Sequence, residues 1–247
     1  MVTILSSAAP AIFLKPRKKY LELLRSKRVD AIILTGSHYI EAKPKDNAYL
    51  LEAAKDLPIM LVNGQLEGEQ IYSTVCDDHA AVYDATLRLY RSGRSSVLYL
   101  YSGNSFSNFH KLSGYRDAVR DAGFMIRDEL MVLCNKDLEA ATERLNMVSH
   151  SGVHFDAVLA SEDILAVGAV KYADNAGLKI PQDLSIIGYN NSILSRCTTP
   201  EITSVDNKVE ALCTTTVNTL MKVLEVGNVP VKTTITPELI KRGTTNF

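Results

Sequence analysis

Asp183-Leu-Ser-Ile-Ile-Gly-Tyr-Asn-Asn-Ser192 is the stretch whose reading decides the fold. Ser185 to Ile187 reads as a buried parallel strand that halts at Gly188. Tyr189, Asn190, Asn191 and Ser192 then supply amide, hydroxyl and phenol groups before the chain turns away. In an open α/β sheet, ligands bind just beyond the carboxyl ends of such strands. These four residues offer donors and acceptors without formal charge, which suits a neutral, hydroxyl-rich molecule. Asn and Ser also form ordinary turns, so the stretch marks a place for a site without naming its ligand.

Working outward, Glu162 to Ala176 reads as a helix with Gly177 at its C′ position, and Pro181 directs the exit into the strand. Phe155 to Leu159 is the strand before it, and Asp137 to Ser149 and Leu130 to Leu133 the preceding helix and strand. After Pro200, Ile202 to Val205 is a short strand and Asn207 to Glu225 a long helix. Thr233 to Ile235 and Glu238 to Lys241 close the chain as strands. Upstream, the spacing predicts strands at Val2 to Leu5, Val29 to Leu34, Pro58 to Val62 and Val97 to Tyr101. Helices are expected over Arg17 to Lys27 (apolar face Tyr20, Leu21, Leu23, Leu24), Asn47 to Lys55, Asp78 to Tyr90 behind Asp77-Asp78, and Phe109 to Ala122. Strands alternating with helices of this length mean parallel sheets built from right-handed βαβ units. The strand number points to two sheets, exchanged near the polar loop Ser102 to Ser107.

The chain has 247 residues, 46% hydrophobic and 22% charged, with a formal net charge of −1. That is enough chain for a sizeable core. It carries none of the basic surplus that a nucleic-acid-binding domain shows. Cys76, Cys134, Cys197 and Cys213 are far apart, and each reads as a small buried hydrophobe in a reducing compartment. No apolar run is long enough to span a membrane. Lys15, Arg17, Lys18 and Lys19 follow the apolar start instead of preceding it, the reverse of a secretory signal. A cytoplasmic location is expected.

Enzyme chemistry finds little support. No G-x-x-x-x-G-K-[ST], G-x-G-x-x-G or G-x-S-x-G run is present. His150 and His154 are separated by Gly152 at a helix end and lack a third metal ligand. Asp77-Asp78 and Glu162-Asp163 stand at helix starts, where acidic side chains cap N–H groups and favour the helix dipole. No cofactor, metal or catalytic set is expected.

Several segments together resemble the effector-binding domain of the lactose/galactose-repressor (LacI/GalR) family of bacterial transcription regulators. Lys111-Leu-Ser-Gly-Tyr-Arg-Asp-Ala118 is similar to its "R-x-x-G-Y-x-x-A" helix, and Ala160-Ser-Glu-Asp-Ile-Leu-Ala-Val-Gly-Ala169 to its "N-D-x-x-A-x-G-A" start. Gly177-Leu-Lys-Ile-Pro-Gln-Asp-Leu-Ser-Ile-Ile-Gly-Tyr-Asn190 is similar to its "G-x-x-V-P-x-D-[IVL]-S-[IV]-[IV]-G-[FY]-D" run. Val29 to Ser37, Asp77-Asp78 with Gly93 and Val97 to Leu100, Pro200 to Val205, and Leu239 to Thr244 resemble further segments in the family's order.

The resemblance implies an α/β fold of the type I periplasmic binding protein kind: two parallel-sheet subdomains with a ligand cleft between them. The expected division is 1–101 plus 206–230 and 102–205 plus 231–247. It implies a sugar or sugar-like effector bound by Asn190, Lys111, Asp163, Glu162, Ser105, Ser107, Asp78, Asn207 and Ser37. It also implies allosteric control of operator DNA through a separate DNA-binding head, and a homodimer formed through the N-terminal subdomain. Asn190 stands where the family often has Asp, Lys111 where it has Arg, and Glu162 where it has Asn. A stacking aromatic is not apparent near Lys136 to Leu138. Val2 to Leu5 resembles the family's second strand, so a truncated start is expected, without the DNA-reading head or the first strand and helix, and with a buried strand edge left unpaired. The rival readings are a solute-binding protein for carbohydrate uptake and an enzyme such as a small-sugar isomerase on the same fold. The first would need export, and the second has no catalytic set.

Overall fold

The computed structural model describes residues 3–5, 14–36, 39–40, 44–225, 227 and 229–247. Its strands are β1 (Thr3–Leu5), β2 (Ile32–Thr35), β3 (Ile59–Val62), β4 (Ile71–Cys76), β5 (Val97–Tyr101), β6 (Met131–Leu133), β7 (Ala157–Ala160), β8 (Ser185–Tyr189), β9 (Thr203–Asp206), β10 (Lys232–Ile235) and β11 (Glu238–Ile240). Its α-helices are α1 (Leu14–Ser26), α2 (Ala48–Ala54), α3 (Asp78–Arg91), α4 (Phe106–Asp121), α5 (Leu138–His150), α6 (Asp163–Asn175) and α7 (Val209–Glu225). Two compact units result. One takes Met1–Cys76, Ser105–Ser107 and Val209–Ile235; the other takes Asp77–Asn104, Asn108–Lys208 and Thr236–Phe247.

In the first unit the sheet runs β1-β2-β3-β4-β10, every pair parallel. Successive strand side chains point to opposite faces, so Ile32, Leu34, Ile59 and Leu61 pack on Leu21 and Leu24 of α1 and Leu50 of α2. Ile33, Met60 and Val62 face the other way, against Leu212 and Leu220 of α7. Each fully buried aliphatic side chain of this kind contributes roughly 1.5–3 kcal/mol. Tyr20 and Leu23, expected on the buried face of α1, are exposed, because only the Leu21–Leu24 spacing points at the sheet.

In the second unit the order is β11-β9-β8-β7-β5-β6, parallel except for β11 on β9. Leu98, Leu100, Val158, Ala160 and Ile186 pack under α5 and α6. Val97, Tyr99, Leu159, Ile187 and Tyr189 pack under α3 and α4. The α5–α6 contact is close: a Cβ at Gly168 would overlap that of Ala141, and Thr142 Oγ1 donates to the Gly168 carbonyl at 3.0 Å.

Several expectations change. β4 escaped the sequence reading because Tyr72, Ser73 and Thr74 interrupt its apolar pattern, yet it pairs on both sides. The expected division at 101 differs from the observed units, because β5 hydrogen-bonds to β6 and β7 and the chain passes between units after Cys76. β10 pairs with β4 and so lies in the first sheet, not the second. α4 begins at Phe106, so the polar loop is shorter than expected. β1 lies along β2 in parallel, in register Thr3↔Ile32, so these two strands pair directly with no strand between them. Cys197 and Cys213 are exposed, against the expectation of four buried thiols.

Candidate functional site

Because β5, β7, β8 and β9 are parallel neighbours, their carboxyl ends share one edge of the second sheet. Ser102, Ser161-Glu162, Asn190 to Ser192 and Asn207 are the residues that leave those ends. The topology therefore gathers segments that are distant in sequence into one row of polar groups.

Asp163 anchors the row. It opens α6, is almost fully buried, and accepts from Ser192 N at 2.6 Å, Ser192 Oγ at 2.7 Å and Ser204 Oγ at 2.6 Å. Burial pushes its carboxyl above the usual range, while the Ser204 and Ser192 donors and the Arg242 guanidinium pull it back. Gly188 passes so close to Asp163 Oδ1 that a Cβ there would overlap it. Of the acidic residues expected to cap helix starts, Asp77 does so at α3, accepting from Ala80 N at 3.0 Å. Glu162 occupies the cap position of α6 without a capping hydrogen bond. It instead accepts from Ser102 Oγ at 2.8 Å and pairs with Lys136.

Lys111 is buried on α4, and its Nζ donates to the Ser161 carbonyl at 3.0 Å and lies 3.5 Å from the Tyr189 ring centroid. The Tyr189 hydroxyl in turn donates to Asp78 in the first turn of α3. Ring and ammonium attract through the ring quadrupole, by about 2 kcal/mol when desolvated.

The loop after β8 is held in a left-handed backbone conformation, with φ 98° at Asn190 and 47° at Asn191. Asn tolerates that region better than other side chains with a Cβ. Asn190 N donates to Val205 O at 2.8 Å, and Arg242 donates to Asn191 Oδ1 at 2.5 Å and to Ile202 O at 2.8 Å. Asn207 Nδ2 donates to Asn190 Oδ1 at 3.1 Å. Three buried atoms near this edge have no partner among the described residues: Tyr99 Oη, Ser161 Oγ and Asn207 Oδ1. Burial holds the Tyr99 phenol far above its ordinary range, with Asp78, Tyr101 and Glu162 adding to the effect.

Of the residues expected to bind an effector, Asn190, Asn207, Lys111, Asp78, Glu162 and Asp163 lie along this edge. Ser105 directly precedes α4 and Ser107 lies in its first turn, both grouped with the first unit. Ser37 lies outside the described residues. Sequence reasoning missed Ser161, Ser204, Lys136 and Arg242. Arg242 stands in the closing run Leu239 to Thr244, but only the sheet order shows which loop that run supports. Among the described residues no cluster of side chains suits a metal ion, and no helix is long and apolar enough to cross a membrane.

Residues 87–245 match the periplasmic binding protein-like domain family. An HTH-type transcriptional regulator of Lachnoclostridium phytofermentans is 51% identical over 234 residues, 95% of this chain and 70% of that protein. The HTH-type transcriptional regulator AscG of Escherichia coli is 26% identical over 91% of this chain and 66% of its own length. Among solved structures, a sugar-binding transcriptional regulator of the LacI family from Escherichia coli, complexed with phosphate, superposes with a TM-score of 0.84. That match has 24% identity and covers 94% of this chain and 82% of the other. The chain thus spans 66% to 70% of the length of the two regulators compared, and these relatives are regulators, not enzymes. The chain belongs to the periplasmic binding protein-like domain family, among the transcriptional regulators of the LacI/GalR type.

Proposed function

We propose that this chain is the effector-sensing part of a bacterial transcription regulator, responding to a sugar or sugar-like metabolite. The observation that carries the reading is the 51% identity to an HTH-type transcriptional regulator across 95% of the chain. The polar row on the second sheet supports it, since its unpartnered atoms are amide and hydroxyl groups. In this reading Asn190, Asn207, Lys111 and Glu162 meet the effector, and Asp78 and Asp163 hold the residues that do. Ser37, Ser105 and Ser107 are further contacts under the same proposal. An effector that prefers one of two conformations shifts the balance between them, and in the whole regulator this changes how a DNA-binding head meets its operator. The working form in this proposal is a cytoplasmic homodimer without catalytic activity. The identity to a regulator favours this over a solute-binding protein for uptake.

A thermal-shift screen of the purified chain against mono- and disaccharides, sugar phosphates and purines tests the proposal. A ligand at a hundred times its Kd adds about 2.7 kcal/mol of stability. A sugar-dependent rise in Tm that disappears in Asn190→Ala is the expected result. A cooperative melt that no member of the panel moves would sink the reading.

A further inference from the structure

On the outer surface of the second unit, where α3 lies beside the end of α4, a hollow and a projection stand side by side. Tyr83, Leu87, Tyr90 and Arg91 follow one another at helical spacing along α3, and Asp121 closes α4. Gly123, at φ 83°, turns the chain, and Phe124 N donates back to Val119 O at 3.0 Å. That turn lays the Phe124 ring on Tyr90, with centroids 4.4 Å apart. The Tyr83 hydroxyl donates to Asp121 at 2.8 Å across the two helices. Between these residues lies a cavity of about 280 Å³ with three aromatic rings in its wall. Beyond the turn, Met125 is 84% exposed, the most of any large apolar residue described, between Phe124 at 41% and Ile126 at 38%. Lone apolar residues at a surface are ordinary, but three in a row beside an aromatic hollow mark a contact surface.

The charges at the same place point to the occupant. Nearby, Arg88 pairs with Asp84, Arg120 with Asp117 and Arg127 with Glu129. Arg91 and Asp121 line the cavity with opposite signs, and neither makes an ion pair among the described residues. We infer that this face binds a second copy of the chain about a two-fold axis, with Met125 of each copy seated in the other's cavity and Arg91 of each facing the other's Asp121. A two-fold contact must be self-complementary, each group meeting its counterpart twice. This face carries both halves: projection and hollow, cation and anion. An unbranched thioether fills irregular space and is attracted to the edges of aromatic rings, which suits a wall of Tyr83, Tyr90 and Phe124. All of these residues belong to the second unit. The contact is therefore additional to the dimer expected through the first unit, and doubles whatever mass that dimer sets. It stands apart from the effector-sensing reading, because no residue of the polar row takes part.

Sedimentation of the full chain across roughly 1–100 μM, the range in which contacts of modest area associate, reads the mass directly. Wild type is expected to double in mass with rising concentration. Met125→Asp puts a charge into the aromatic hollow and should abolish the doubling. Its melt should stay within about 2 °C of wild type, because the side chain it replaces is exposed. Arg91→Asp or Asp121→Arg alone sets like charges opposite each other and should weaken association about tenfold or more. The two changes together restore opposite signs and should return association to within about threefold of wild type. If Met125→Asp lowers the melt, the charge exchange, which leaves the apolar run intact, decides. A wild-type mass that stays constant with concentration overturns the inference. So does a doubling that survives Met125→Asp, or a charge exchange that brings no recovery. Each of these results leaves the effector-sensing reading standing.

Discussion

Lys111 Nζ sits 3.5 Å from the centroid of the Tyr189 ring while donating to the Ser161 carbonyl at 3.0 Å. One ammonium therefore ties α4 to the exits of β7 and β8. Truncation by Lys111→Ala removes the cation–ring attraction and the bond to Ser161 together, a loss of about 2 kcal/mol. For a chain of this length that lowers Tm by about 4–8 °C. An unchanged melt would mean that the buried ammonium contributes no net stability.

The same ring is held from its other end. Tyr189→Phe keeps the face under Lys111 and deletes the hydroxyl that donates to Asp78. Asp78 is 5% exposed, and a buried carboxylate that loses a donor costs about 1–3 kcal/mol. Urea unfolding of Tyr189→Phe should show that loss with an unchanged m value. A variant as stable as the parent would place the Asp78 carboxylate in water's reach.

Gly188 is the third fixed point. A Cβ there meets Asp163 Oδ1 and lies 3.3 Å from the Ala166 side chain, both on α6. Gly188→Ala must move the helix or the carboxylate and should cost about 1–3 kcal/mol, read as a fall in Tm. A neutral result would show that α6 yields more easily than its packing on β8 suggests.

Much of this arrangement is legible in the sequence because periodicity reports which face is buried. The helix behind Asp77 and the Gly177 exit are where the residue pattern predicts, and so is the strand beginning at Ser185, which runs on through Gly188 to Tyr189 instead of halting after Ile187. What the pattern does not carry is strand order. Nothing in the spacing of Lys232 to Ile235 distinguishes pairing with β4 from pairing with β9, since both are short strands with polar neighbours. The site shows the same division. Asn190 and Asp163 stand out as polar residues at strand and helix ends, but that Asp163 binds Ser192 and Ser204 follows only once β7, β8 and β9 are adjacent. The reading that acidic residues at helix starts act as caps holds for Asp77 and fails for Glu162, whose carboxylate is drawn off by Ser102 and Lys136.

Asp163 also gives a pH signature. Burial raises its carboxyl above the ordinary 3.8, so the folded chain holds the proton more tightly than the unfolded chain. Its contribution to stability is fully present below pH 3.8 and is lost as pH rises through the raised value. Asp163→Asn does not titrate. The stability of wild type relative to this variant should therefore fall as pH rises above 3.8, measured by urea unfolding at each pH. A difference that stayed flat or rose with pH would show that the serine donors and Arg242 outweigh burial.

Thiol reactivity separates the four cysteines by the environments the fold gives them. Cys197 and Cys213 are exposed, Cys134 is half-buried and Cys76 is buried. At Cys134, burial pushes the thiol up to about 11; the Glu162 and Asp137 carboxylates push the same way, and Arg144 opposes them. At pH 8 only about one Cys134 in a thousand is then the reactive thiolate. Titration of the native chain with a disulfide reagent should show a fast phase from Cys197 and Cys213, a slow one from Cys134, and reaction of Cys76 only on unfolding. Replacing Cys197 and Cys213 by Ser should abolish the fast phase and leave the slow one intact. A fast phase surviving in that double variant would put Cys134 or Cys76 at the surface, contrary to the packing of Cys134 against the α5–α6 core and of Cys76 against α7.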